Sequence, residues 1–471
     1  MAGTKVEHPS IDDRKRRGKQ AAERAALDSH GMWAPSADRP DPVALLEEQN
    51  ATREPDLVPV RHGRMAVSPF TFYRGAARIM AFDLHDTPTA GLTVQMCGDA
   101  HLSNFGGFAS PERRLLFDLN DFDETLPGPF EYDVKRMAAS FTIAARNNGF
   151  VKADVREVTR ASVAAYREAM AQFASMRTLE VWYARMSEDE VLAAARTSPK
   201  SKADAKLLKR GERIVEKAHS RDSLQALSKL AEQVDGRYRI VSQPPIVVPL
   251  RDLAVTYGMS ADEVEPVLRE QFRSYRATLQ DDRRHLLERF EFVDAARKVV
   301  GVGSVGTRAF IVLLQGRDQD DPLFLQVKEA TASVYEHHLP RSRYSQHGER
   351  VVNGQRLMQA ASDIFLGWTK GLDTTRHFYW RQLRDMKASA LVESQTPTAM
   401  GVYAGLCGWT LARAHARSGD AIAISEYLGD GDGFDSAIVR FSSHYADQNE
   451  RDYEEFRRAI DTGRLRCQMG L

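Results

Sequence analysis

The chain has little cysteine, no excess of either charge and no long apolar run, and each lack removes a class of function. Its three cysteines, Cys97, Cys407 and Cys467, are odd in number and form no CxxC pair. Neither a disulfide framework nor a zinc knuckle is signalled, and a reducing cytoplasm is the expected compartment. The 65 basic and 65 acidic residues cancel, which argues against bulk electrostatic capture of nucleic acid or membrane but leaves room for a local basic groove. No window approaches a membrane span, and the N-terminus has no apolar core of the signal-peptide kind. There is no internal repeat and no low-complexity tract. What remains is ordinary soluble composition, 42% hydrophobic and 28% charged over 471 residues, long enough for two or three lobes with a sizeable core.

The chemistry concentrates in residues 97–124, where polar side chains lie between apolar runs. Asp99 and Asn104 are five residues apart, and Asp121 and Asp123 follow a strand-like run, Leu115 to Leu119. A base, an amide and a carboxylate on adjoining loops are the parts of phosphoryl transfer on a kinase-like fold.

Around this stretch the chain reads as mixed α and β. Residues 1–40, with the basic run Arg14 to Arg17, predict a mobile arm or short surface helix. A short helix follows over Pro42 to Asn50. Arg61, Arg64 and Arg74 flank a run of aromatics and are candidates to bind a phosphate or carboxylate of a substrate. Residues 74–84 predict a helix, and Leu92 to Met96 a strand that delivers Gly98-Asp99. Helices are predicted over 131–147, 153–190, much of 200–235, 261–285, 346–367, 395–418 and the C-terminal tail, from apolar residues at helical spacing. Residues 236–252 predict extended chain and strand, 298–329 a three-stranded antiparallel meander, and 376–384 one or two further strands.

Within that meander, Gly301-Val302-Gly303-Ser304-Val305-Gly306 matches GxGxxG, a weak signal by itself. Context sharpens it. The residues after Gly306 favour strand rather than the helix that a dinucleotide fingerprint needs. Strand, glycine loop, strand is the kinase arrangement, in which the backbone covers nucleotide phosphates. Lys328 ends the next strand, and a lysine there wants anionic company, a phosphate or a carboxylate. Glu349 on the following helix, or Glu329 next in sequence, are the carboxylates on offer.

The roles follow from the chemistry. Asp99 would orient a hydroxyl and accept its proton. Asn104 and Asp121, with Asp123 as the alternative to Asp121, would hold Mg²⁺, a hard ion that takes oxygen ligands. Lys328 and the Gly301, Gly303, Ser304 and Gly306 backbone would hold the phosphates of ATP. His101, with no second histidine at ligand spacing, is read as a structural hydrogen-bonding residue, and Asp133 as a tie for the loop. Asp430, Asp432 and Asp435 lack the remaining ligands of a calcium loop and are read as a solvated turn.

Gly98-Asp99-Ala100-His101-Leu102-Ser103-Asn104 resembles the GDxHxxN loop of aminoglycoside and choline phosphotransferases. Asp121-Phe122 resembles their metal-binding aspartate, and Asp133 their later structural one. More closely, SPFTFYRGAA, CGDAHLSNFGGFASPE, NDFDETLPGPFEYDVKR, RKVVGVGSVGTR, VKEA, RQLRDMK and LARAHARSGD resemble the bacterial family DUF2252 over roughly residues 55–460. The resemblance implies an α+β, protein-kinase-like, two-lobed fold. One departure is large: glycine loop and lysine follow the catalytic loop by roughly two hundred residues, which implies a circular permutation. The implied parts are an N-terminal arm and linker (1–55), the catalytic and metal-loop half of the large lobe (56–150), a helical scaffold (151–297), a small nucleotide-covering β lobe (298–390) and C-terminal helices of the large lobe (391–471). The implied activity is an ATP- and Mg²⁺-dependent phosphotransferase acting on a small hydroxyl or amine compound. Transfer of AMP to a protein, or nucleotide binding without turnover, are the alternatives. The acceptor and the oligomeric state stay open; nucleic acid and membrane are not expected partners.

Overall fold

Six antiparallel strands build the largest sheet of the computed structural model, which describes residues 7–196, 201–219, 223–258, 260–383 and 386–471. Their order is Gly367–Lys370, His377–Gln382, Pro322–Ala330, Ala309–Gln315, Glu291–Lys298 and Val247–Pro249. Both faces are covered, so the strands are apolar on both sides. Val312 and Leu314 pack with Leu325, Val327, Phe378 and Trp380 against Phe272, Tyr275 and Leu279. The alternate residues Ile311 and Leu313 pack with Ala296 and Phe324 against Leu227, Ile240 and Val247. This period of two fixes the direction of Lys328: one residue past Val327, it leaves the sheet on the face opposite Val327.

The rest is mainly helical, giving a mixed α+β protein with antiparallel sheets. Helix Phe130–Asn147 is buried over nearly its whole length. Small residues there (Ala138, Ala139, Ser140, Ala144, Ala145) admit close neighbours, and helices Lys152–Ser175, Pro397–Ala416 and Gly433–Asp461 pack around it. A hairpin, Phe105–Ala109 with Leu115–Leu119, lies beside them. A two-stranded pair joins Thr93–Met96 to Leu126–Pro129 and so brings both ends of the 97–124 stretch together.

Several elements differ from the sequence reading. Of the two readings of residues 1–40, arm or short surface helix, the helix holds over Ile11–Arg24, though it is docked, with Gly18 against Ala423 and Glu426. The predicted long helix over 153–190 stops at Ser175: Met176 is extended, and Arg177 opens a new helix with its amide donating to Glu180 at 2.9 Å. The first strand of the meander runs over Glu291–Lys298, ahead of the apolar residues Val299 and Val302 that suggested it. Residues 231–240 form a hairpin: its second strand, Arg237–Ile240, falls where extended chain was expected, whereas its first, Ala231–Val234, falls where helix was expected. Parts of two predicted elements, at 220–222 and 384, lie outside the described residues. Among the described residues, no helix is long and apolar enough to cross a membrane. All three cysteines are free thiols.

Candidate active site

The turn carrying Asp99 is built by its neighbours. Strand Thr93–Met96 ends at Cys97, and Gly98 then adopts φ +80°, with the Glu124 carbonyl 2.3 Å from where a Cβ would stand. Only glycine fits such a position. The buried carboxylate of Asp133 accepts the amides of Cys97 (2.7 Å) and Gly98 (3.0 Å) and faces His415 Nε2 at 3.2 Å. Asp133 thus ties the turn to the C-terminal helix that carries His415.

Arg136, one helical turn beyond Asp133, holds Asp99. Its Nε and Nη2 both lie 2.8 Å from Asp99 Oδ1. The other oxygen, Oδ2, has His101 Nε2 at 3.7 Å, beyond hydrogen-bond range. Burial raises the Asp99 carboxyl above the usual aspartate range, and Arg136 opposes that shift. Burial drives His101 far below its ordinary value, with Arg74 and Arg136 adding to it. Asn104 Nδ2 donates to the Asp99 carbonyl at 2.8 Å, which turns its Oδ1 away from that carbonyl.

The lysine strand meets this loop from the other side. Lys328 Nζ lies 2.5 Å from Asp123 Oδ2 and 3.6 Å from Asp121 Oδ1. Tyr379, directly opposite Lys328 in the sheet, donates to Asp123 Oδ1 at 2.6 Å. Desolvation works against the ammonium, but Asp121, Asp123 and Tyr379 together outweigh it and raise its pKa. Arg350 donates to the Asp123, Thr125 and Thr331 carbonyls at 2.5–2.8 Å and so fixes the backbone of the acidic loop.

A cleft of about 320 Å³ joins these parts. Asp99, His101, Asn104, Asp121 and Asp123 line it together with Gly301, Gly303, Ser304 and Arg74. The glycine loop forms its roof and is braced from the N-terminal segment. Arg64 Nη1 donates to the Gly301 carbonyl (2.6 Å), Arg53 Nη1 to that of Val305 (2.5 Å), and the Glu54 amide to that of Gly306 (2.8 Å). Gly303 passes so close to the Arg74 carbonyl that a Cβ would come within 3.1 Å of it.

Not every candidate residue takes the role expected of it. Glu349 does not pair with Lys328: its amide caps onto Gln346 Oε1, and the helix offers the loop Arg350 instead. Glu329 pairs with Arg308 and Arg376. Arg61 is fully buried and donates to Asn50, Gln49 and the Gly75 carbonyl. Arg64 braces the loop. The His101 ring makes no hydrogen bond through Nδ1; only its backbone does, to Asp99 and Asn104. Asp118 is held away from the cleft by Arg413 and the Ala360 amide, and Asp435 pairs with Arg167.

Arg136, Tyr379, Glu124 and Arg53 escaped the sequence reading. Arg136 alone left a trace, three residues after Asp133 on the same helix face. Tyr379 needed the strand register. Glu124 lines the cleft with Oε2 accepting the Val334 amide at 2.7 Å.

Mg²⁺ fits this donor set in one way. Among the described residues no three His, Cys, Asp or Glu side chains are gathered to hold a metal, and Lys328 already sits on Asp123. Mg²⁺ binds through one or two carboxylates plus substrate phosphates, so Asp121, Asp123 and Asn104 suit the ion as a nucleotide complex.

Residues 53–459 match a family described as an uncharacterized protein conserved in bacteria, DUF2252. The chain belongs to the DUF2252 family. The match covers the glycine loop, Lys328 and the whole 97–124 stretch of this DUF2252 protein. No curated protein and no solved structure matches the chain.

Proposed function

We propose that this DUF2252 protein is an ATP- and Mg²⁺-dependent phosphotransferase of circularly permuted, protein-kinase-like fold, acting on a hydroxyl or amine of a small molecule. The observation that carries the reading is the meeting of Lys328 with Asp121 and Asp123 across one cleft from Asp99 and Asn104, beneath the glycine loop. In kinases the lysine lies on the strand after the glycine-loop hairpin, and a carboxylate and an amide hold the metal. Helix Pro397–Ala416 supports the permutation. It is remote in sequence, yet Ser418 Oγ just beyond it accepts the Gln95 amide at 3.0 Å, beside the strand that leads to Asp99. The one departure is Lys328, which pairs with the metal-loop carboxylates rather than with the following helix.

Asp99 would receive the acceptor proton on Oδ2 while Arg136 holds Oδ1. The acceptor oxygen or nitrogen bonds to the γ-phosphorus, the bond to the β,γ-bridging oxygen breaks, and ADP leaves. Bound Mg²⁺ would neutralise phosphate charge from Asp121, Asp123 and Asn104. Lys328 would hold phosphate oxygens, and the loop backbone would exclude water.

The test is incubation with Mg²⁺ and ATP against a pool of small hydroxyl and amine compounds, read by mass spectrometry of products. Phosphoryl addition with ADP release supports the reading. Adenylyl addition to a protein would favour nucleotidyl transfer, and tight ATP binding without turnover a non-catalytic role.

A further inference from the structure

Arg74 differs from the other cations of the cleft. Lys328 meets Asp123, Arg136 meets Asp99, Arg78 pairs with Glu48 at 2.7 Å, and Arg53 donates to the Val305 carbonyl. The Arg74 side chain lines the same space; its buried Nε lacks a hydrogen-bond partner, as do those of Arg53 and Arg78, but unlike theirs its terminal nitrogens reach no acceptor or carboxylate among the described residues. Burial lowers its pKa, and the more distant charges of Glu393 and Asp99 only partly offset that. A half-buried guanidinium with no counter-ion gains from an anion that completes it.

Its position is fixed relative to the base. The Tyr73 carbonyl, one residue before Arg74, accepts Arg136 Nη2 at 2.9 Å, and the same guanidinium holds Asp99. The Gly75 carbonyl, one residue after, accepts Arg61 Nη2 at 2.8 Å. Both flanks of Arg74 are therefore clamped. The contacts also divide the cleft: Arg136 ties the Tyr73–Arg74 backbone to Asp99, whereas Lys328 is tied to Asp121 and Asp123. Arg74 belongs to the base side, and Lys328 to the side where donor phosphates would lie.

We propose that Arg74 binds an anionic group, a carboxylate or a phosphate monoester, on the acceptor, so that the acceptor is an acidic hydroxyl or amino compound rather than a neutral sugar or a polycation. This rests on the phosphotransferase reading for the word acceptor, but the anion site itself does not. A planar guanidinium matches either anion through paired N–H donors.

The experiment is isothermal titration of orthophosphate and, separately, acetate into the full chain, with and without Mg²⁺ and a non-hydrolysable ATP analogue. Wild type, Arg74→Gln and Arg74→Lys are compared, each checked by its melting curve. The expected result is an anion affinity about tenfold or more weaker in Arg74→Gln, partly recovered in Arg74→Lys, with analogue affinity unchanged. The anion that binds more tightly tells carboxylate from phosphate. Equal anion binding by wild type and Arg74→Gln overturns the proposal, as does a loss of analogue affinity in Arg74→Gln, which would give Arg74 to the nucleotide. If the analogue does not bind wild type but anion binding still depends on Arg74, the phosphotransferase reading fails and the anion site stands.

Discussion

The ammonium of Lys328 lies 2.5 Å from the Asp123 carboxylate although 205 residues separate them in sequence. Lys328 is almost wholly buried, while Asp123 keeps 27% of its side chain open to the cleft. Breaking a buried pair by removing one partner leaves the other uncompensated. Lys328→Met should therefore cost about 2 kcal/mol of stability, a figure reduced for the open side of Asp123. It should also abolish saturable Mg²⁺-ATP binding. Urea unfolding and nucleotide titration check both; unchanged nucleotide affinity would remove Lys328 from the site.

Asp99→Asn keeps the shape of the side chain and an oxygen for Arg136, but not the basicity. Turnover should fall by roughly 10²- to 10⁴-fold with nucleotide affinity retained. Steady-state kinetics beside a nucleotide titration separates this from a folding defect.

Asp133→Ala should behave in the opposite way. It strips two backbone amides and the His415 ring of their shared acceptor in a fully buried place. The expected loss is on the order of 3 kcal/mol, seen as a lower denaturation midpoint. Activity falls because the turn before Asp99 is no longer held, so the midpoint and activity move together here and separately in Asp99→Asn.

Glu124 gives a pH signature. Burial pushes its carboxyl from 4.5 up to about 7, against the pull of the Val334 amide and Arg350. A carboxyl raised on folding contributes stability that is complete below its unfolded value and is lost as pH rises through the folded one. The wild type should thus weaken between about pH 4.5 and 7 through this group. Glu124→Gln should flatten that slope and gain about 2 kcal/mol at pH 8 relative to pH 5. Urea midpoints at the two pH values are the measurement, and a parallel slope in both proteins would count against it.

The sequence was most informative where a local pattern coincides with a tertiary need. Strand Leu115–Leu119 and helix Pro42–Asn50 fall where the sequence reading puts them. The spacing of Asp99, Asn104 and Asp121 led to residues that line one cleft. Local pattern was silent on pairing. Glu349 looked like the partner of Lys328 because it opens the next helix, but its caps turn it elsewhere and the acidic loop takes the lysine. The turn and first strand of the hairpin at 231–240 were legible and overlooked: Asp235 and Gly236 both take positive φ, the two-residue turn that Asp-Gly favours. The many charged residues around it suggested helix instead. Arg61 and Arg64 show the limit of composition, since arginines beside aromatics serve equally as ligands and as braces.

The braces on the glycine loop have a kinetic consequence. Arg64 reaches Gly301 across 237 residues of sequence, Arg53 reaches Val305 across 252, and Val299 and Val305 bury themselves with Leu57 and Val60. The loop is thereby one mechanical part with the N-terminal helices and does not flap alone. If release of whatever binds beneath it requires the loop to lift, residence time will depend on packing at Leu57 and Val60, remote from the reacting atoms.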